Sequence, residues 1–296
     1  MKLLAPIENL KDKITSINVP EDDAPDWAAG TYNEDDVVIF DKSLYEAQTT
    51  TTDQPDVGAA KVPPTWIRLG SINAYKMFDQ IIASATVNPD TIVFEFIPNV
   101  VSGAIVLLGL VGQSVRIEID DPSDGLVYDE TRLLNDNSFV IDWYTYFFSP
   151  IVSTDRAIFD NIPSYSAATY KVTIDNTGLD AVCGEFIIGT LFQVGLTKYG
   201  STISTDNFSR KTRNPDGTFE LLERGFADRV RYDIIIKNED LNNVRKMMLK
   251  RLNKPTVYFA RKELPETLTY GFYKNLDIVL SEVRFSEASI EVESLI

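Results

Sequence analysis

The chain has 296 residues, 44% apolar and 11% aromatic, which is long and greasy enough for two or three packed cores and excludes a disordered chain. Its formal charge of -16 argues against nucleic acid or an anionic membrane surface as the main partner, because phosphate binding needs a positive face. Histidine is absent and Cys183 is the single cysteine, so the commonest proton carrier and metal ligand is missing and no intrachain disulfide can form. These facts favour a non-enzyme with no metal and no cofactor, folded in a reducing compartment.

The first residues hold no apolar run of signal-peptide length before Pro6 and Glu8, and the greasiest run, 104–111, falls well short of the roughly 20 residues of a membrane helix. Neither export by the usual route nor membrane insertion is expected. Residues 1–20 mix Leu and Ile with Lys and read as an arm or one short helix. An acidic turn at 21–25 then leads to Trp27. Val37-Val38-Ile39-Phe40, a turn at Asp41-Lys42-Ser43 and Leu44-Tyr45-Glu46-Ala47 read as strand, tight turn and strand. A threonine tract, the Asp53-Gln54-Pro55-Asp56 loop and Pro63-Pro64 bring the chain to Trp66, which closes a small β module over 21–70.

Residues 66–79 are too apolar for a free linker and read as a rigid joint. From 83 to 192 short segments rich in β-branched and aromatic residues come thickly: 91–97, 103–108, 114–119, 139–143, 169–174 and 185–188. Val115, Ile117 and Ile119 alternate with polar residues, as do Tyr170, Val172 and Ile174, giving each strand one buried and one wet face. The pattern predicts a jelly-roll β-sandwich over 71–196. Asp120-Asp121-Pro122-Ser123-Asp124-Gly125 is explained more simply as a hairpin turn than as a calcium loop, since no glutamate follows at the required spacing. Trp143, Tyr144 and Tyr146 belong to an aromatic run denser than one strand face can bury, which points to cover by a partner or to binding of a ligand, with the partner favoured. Cys183 reads as a core thiol.

Residues 197–296 change texture. A basic patch precedes an Asn214-Pro215-Asp216-Gly217 hairpin turn, and 230–236 reads as a strand. Asn238 is placed to cap a helix running to about 253, whose apolar face is Leu241, Val244, Met248 and Leu252, with Pro255 ending it. Strands at 256–260, 272–280 and 289–294 complete an α+β assembly domain with one helix on a sheet. The helix carries Arg245, Lys246, Lys250 and Arg251 outward. They form either an ordinary solvated face or a contact with an acidic surface on another copy or an assembly neighbour.

Two resemblances follow from these residues. Trp27, Tyr32, Asp36-Val37, Tyr45-Glu46-Ala47, Pro64 and Trp66 fall in order on the pattern of small chitin- and cellulose-binding modules. That resemblance implies sugar stacking on Trp27, Tyr32, Tyr45 and Trp66, although Gln48 stands where the family often has another ring. The competing reading makes the same rings the core of a module too small to have another. Beyond the module, the Gly70-Ser71-Ile72-Asn73-Ala74-Tyr75-Lys76-Met77-Phe78-Asp79 joint, Cys183-Gly184-Glu185-Phe186-Ile187-Ile188-Gly189 and Asp206-x-Phe208-Ser209-Arg210 resemble structural proteins of the tailed-bacteriophage tail tip or baseplate. This implies a virion component made in the bacterial cytoplasm, a homo-oligomer docked on other virion proteins, which presents a surface for host polysaccharide. A free-standing carbohydrate-binding protein and a glycan-cleaving enzyme with two carboxylates remain as alternatives; no carboxylate pair stands out by spacing.

Overall fold

The computed structural model describes residues 1–136, 142–148, 152–213, 217–261 and 264–295. The fold is mainly β, as its alternation dictates, with large curled antiparallel sheets and few helices. One five-stranded sheet runs in the order Ile14–Ile17, Thr86–Phe96, Thr169–Cys183, Ser114–Asp121, Gly125–Leu133. It packs against the first strands of a ten-stranded sheet, Arg156–Phe159, Ala104–Leu108 and Glu185–Gln193, and this is the β-sandwich. Phe94, Phe96, Ile117, Tyr170 and Val172 face Leu107, Phe159, Phe186 and Ile188 across it. Phe94 meets Phe186 edge-on at 4.9 Å between ring centres, and Phe96 stacks on Tyr170 at 5.3 Å. Burying each such ring contributes about 1.5–3 kcal/mol, so this layer dominates stability.

The larger sheet does not stop at the sandwich. Past Glu185–Gln193 come Lys2–Pro6, Thr256–Phe259, Thr269–Val279, Phe285–Ser294 and Phe226–Lys237. Phe226–Lys237 then pairs with Leu196–Thr197, which is the direct continuation of Glu185–Gln193. The sheet therefore closes on itself as a six-stranded barrel, sealed by hydrogen bonds from the Val194 N–H to the Met1 carbonyl and from the Lys198 N–H to the Asp233 carbonyl at 2.7 Å. Leu3, Tyr232, Ile234, Tyr258, Ile290 and Val292 fill the barrel, and Val244 and Met248 on the helix Leu241–Leu249 join the same core. The first half of one long strand thus serves the sandwich and the second half the barrel.

Four sequence expectations are corrected. Residues 1–20 form no arm, and the short helix expected there is only the 3-10 turn Leu10–Lys13: Lys2–Pro6 is a central strand, because Leu3, Leu4 and Ala5 offer apolar side chains to both faces. The division at 196/197 falls inside one continuous sheet, so the sandwich and the assembly region share their hydrogen-bond ladder. Thr86–Phe96 and Thr169–Cys183 overrun the expected ends, since Asn88-Pro89-Asp90 and Asp175-Asn176-Thr177-Gly178, which look like breakers, are taken up in a bulge where Gly178 has φ 87° and donates to Asp90 at 2.7 Å. The helix is shorter than expected: Asn238 does not cap it but ties the 282–286 turn, donating to the Glu282 and Val283 carbonyls at 2.9 Å each. Leu252 consequently lies beyond the helix and is exposed.

The first module is a three-stranded sheet, Val37–Phe40, Ser43–Ala47 and Trp66–Ser71. Its tight turn is as expected, with Asp41 and Lys42 both at positive φ, the geometry of a hairpin turn that follows the strand twist. Ile39 and Leu44 face the sandwich core, and the joint delivers Ile72, Ala74, Tyr75 and Met77 into it. The joint is thus packed into the core at its far end, while Ile67 and Leu69 at its start are exposed.

Candidate interaction surface

The rings of the first module are spent mainly on its own core. Trp66 is fully buried, donates Nε1–H to the Asp53 carbonyl at 3.0 Å, and sits so close to Gly58 that no larger residue fits there. Tyr45 is 9% exposed. Tyr32 stands edge-on to Trp66 at 5.3 Å, and its hydroxyl is occupied by the Ala28 amide and carbonyl; Trp27 meets Phe40 edge-on at 5.7 Å. Stacking on a pyranose needs two open, side-by-side ring faces, so the sugar platform expected from Trp27, Tyr32, Tyr45 and Trp66 is not assembled: Trp66 and Tyr45 lack an open face. Small β modules must bury their aromatics to exist.

The aromatic run does reach solvent, but not as a strand. Trp143–Phe148 is a single helical turn and a half, in which Trp143 stacks on Phe147 and Tyr144 meets Phe148 at a tilt, the i to i+4 neighbours of a helix. Trp143 is 79% exposed, and Tyr144, Phe147 and Phe148 are similarly open. The expected strand at 139–143 falls largely outside the described residues, as does the Tyr146 side chain. The acidic turn is a hairpin turn as read: the Asp121 carboxylate accepts the Ser123 and Asp124 amides at 2.9 and 3.2 Å, and Gly125 has φ 72°.

The hairpin read from the sequence around 214–217 is the most exposed structural unit, which the sequence reading did not foresee. Thr202–Asn207 pairs with the start of Phe226–Lys237, and beyond it Arg210–Arg213 pairs with Phe219–Leu222, forming one projecting hairpin. The two ladders are joined where Ser209 Oγ accepts the Arg224 amide and donates to its carbonyl. Every described residue of the outer pair is exposed, Phe219, Leu221 and Leu222 included, and none of the hydrophobic clusters takes in a residue from 202 to 226. Lys211 and Arg213 lie over the Phe219 ring at 5.8 and 5.6 Å. The expected turn at 214–217 falls mostly outside the described residues. The available signal was Phe219-Glu220-Leu221-Leu222 following a basic strand, with no second apolar segment to cover it.

Charge is sorted as sharply as apolarity. Between residues 21 and 60 Lys42 is the one basic side chain, set among acids such as Asp22, Asp26, Glu34 and Asp35, all four exposed. From 241 to 260 there is no acidic residue. On the helix there, Arg245, Lys246 and Lys250 are exposed around Leu249, while Arg251 is partly buried. Among the described residues none of these four cations is in an ion pair; their neighbour Lys254 holds Glu8 and draws its carboxyl below the usual range. No protein-family model matches the sequence, and no curated protein matches it.

Two buried groups complete the picture. Cys183 is a fully buried thiol, pushed far up by burial, as a core cysteine should be. Glu185, the charged residue that opens the strand expected at 185–188, is 3% exposed in the strand shared by sandwich and barrel. Burial and then the nearby Asp79 push its carboxyl up to about 9, and it accepts the Gln80 amide at 3.0 Å. Asp79 is itself raised, again mainly by burial. A cleft of about 290 Å³ lies near the base of the hairpin between Leu108, Phe226, Tyr270 and Leu295. Its cation Arg156 is already engaged with the Leu268 carbonyl at 3.1 Å and Asp228 at 3.9 Å. No helix among the described residues is long and apolar enough to cross a membrane.

Proposed function

We propose that this chain is a structural subunit of a multi-subunit particle, of the kind found in the tail tip or baseplate of tailed bacteriophages. Its work is to dock on neighbouring subunits. The observation that carries this reading is the projecting hairpin. A lone two-stranded ribbon is marginal in water, and one exposing Phe219, Leu221 and Leu222 invites aggregation unless another molecule covers it. A closed barrel fused to a sandwich is a stiff base for such a hairpin, and the open Trp143–Phe148 turn supplies a second apolar contact. The resemblance at the joint and at 183–189 agrees with a virion component, as do the acidic, histidine-free composition and single buried thiol. Sugar stacking is no part of the reading, since Tyr45 and Trp66 are core.

The test is the particle mass distribution of the purified chain, alone and with candidate tail components, beside a variant in which 208–224 is replaced by Asn-Gly. With the components the intact chain should form larger mixed species, and the shortened one should fail to form them while keeping its melting temperature. A chain that stays monomeric in every mixture, or a shortened variant that assembles equally well, overturns the proposal.

A further inference from the structure

The separation of charge on this molecule points to the geometry of its self-contact. We propose that copies join head to tail, the basic outer face of the helix Leu241–Leu249 in one copy seating on the acidic loops of the first module in the next. This rests on the reading of the chain as an assembly subunit and adds which surfaces meet.

The helix buries only Val244 and Met248. Its opposite side presents Arg245, Lys246 and Lys250 with Leu249 between them, an apolar centre inside a charged rim, which is the anatomy of a docking site. Cations near a helix C-terminus are favourable in their own right, which covers Lys246 in the last turn and Lys250 at the cap; Arg245 lies further from the end. The complementary face is on the same chain. Asp26, Glu34 and Asp35 are exposed and, among the described residues, unpaired with any cation.

These two faces belong to different cores. The module is anchored through Ile39 and Ile72 in the sandwich, and the helix through Met248 in the barrel; among the described residues no hydrogen bond or ion pair links residues 21–71 with 241–254. The two faces do not meet within one chain, and a second copy carries the charge that the helix lacks. Two different patches meeting make a heterologous contact, which repeats into a ring or a filament instead of stopping at a dimer. Opposite charge also fixes register and steers encounter.

The experiment uses two triple variants of the full chain: Arg245→Glu/Lys246→Glu/Lys250→Glu, and Asp26→Lys/Glu34→Lys/Asp35→Lys. Self-association is read by particle mass and sedimentation at low and high sodium chloride, with folding checked by melting temperature. Each variant alone should associate at least ~10-fold more weakly than the unaltered chain, and an equimolar mixture should recover assembly, because reversed helix then meets reversed module and the two native faces meet each other. Salt should weaken the unaltered assembly strongly. If the unaltered chain assembles but both variants do so equally, or if two folded variants fail to rescue each other, this contact is wrong while the assembly reading stands. If the unaltered chain forms no oligomer alone at low salt, this contact is also wrong, and the hairpin test with tail components then judges the assembly reading separately. Should the charge-reversed chains not fold, a salt-independent assembly of the unaltered chain overturns the contact by itself.

Discussion

Two antiparallel strand pairs of this molecule can be set side by side. Thr86–Phe96 with Thr169–Cys183 carries Phe94, Phe96, Tyr170 and Val172 on one face, all buried against the opposing sheet. Arg210–Arg213 with Phe219–Leu222 has the same ladder and comparable apolar residues, yet every described side chain is open. The ladder alone is worth little in water, where each amide already has a partner. What separates the two is whether something lies on the apolar face. The first pair finds its cover within the chain; the second finds none among the described residues.

The comparison breaks most severely at the covered pair. Phe94→Ala removes a ring packed against Phe96, Phe78 and Phe186, and should cost about 3–5 kcal/mol, read as a drop in the urea midpoint. A loss below ~1 kcal/mol would mean the sandwich is not the dominant core. Next comes Gly189→Ala. The Glu185–Gln193 strand passes so close to Lys2–Pro6 that a Cβ at 189 would run into the Ala5 carbonyl, so the barrel seam must shift, at roughly 1–3 kcal/mol. Hydrogen exchange should locate the loosening at Leu3–Ala5; unchanged protection there would contradict the close approach.

A smaller effect is expected from Glu185→Gln, and it has a sign set by pH. With its folded value near 9 against an ordinary 4.5, Glu185 keeps in the native state a proton that the unfolded chain releases. Stability from this group is complete below pH 4.5 and drains away as pH rises toward 9. Glutamine retains the acceptor for the Gln80 amide and does not titrate, so the variant should be the more stable at pH 8, with the gap closing toward pH 5. Melting curves across that range check it, and a gap that grows at low pH would be the wrong sign. The smallest effect falls on the uncovered pair: replacing 208–224 by Asn-Gly should change folding stability by less than ~0.5 kcal/mol while removing assembly with the tail components. A large loss would mean the hairpin is part of the core after all.

Much of the fold was legible because burial imposes period. Val115-Ile117-Ile119 and Tyr170-Val172-Ile174 announce strands, and Val244-Met248 announces a helix face, from spacing alone. Lys2–Pro6 was not legible: a strand buried on both faces shows a short apolar run with no alternation, and Lys2 and Pro6 at its ends look like surface. The candidate site was read unevenly. The outward cations of the helix and the openness of the aromatic run were visible, while the helical form of Trp143–Phe148 was not, since aromatic residues favour strands by propensity.

The sequence by itself determined that this would be an acidic, largely β protein with alternating strands and an apolar joint, because charge, composition and hydrophobic period are local properties. Only the tertiary structure decided that Trp66 and Tyr45 are interior, that the first strand seals a barrel with the last third of the chain, and that Phe219, Leu221 and Leu222 are left uncovered. The reason is common to all three: whether an apolar face is buried depends on which distant segment arrives to cover it, and that pairing is settled by the closing of the sheets.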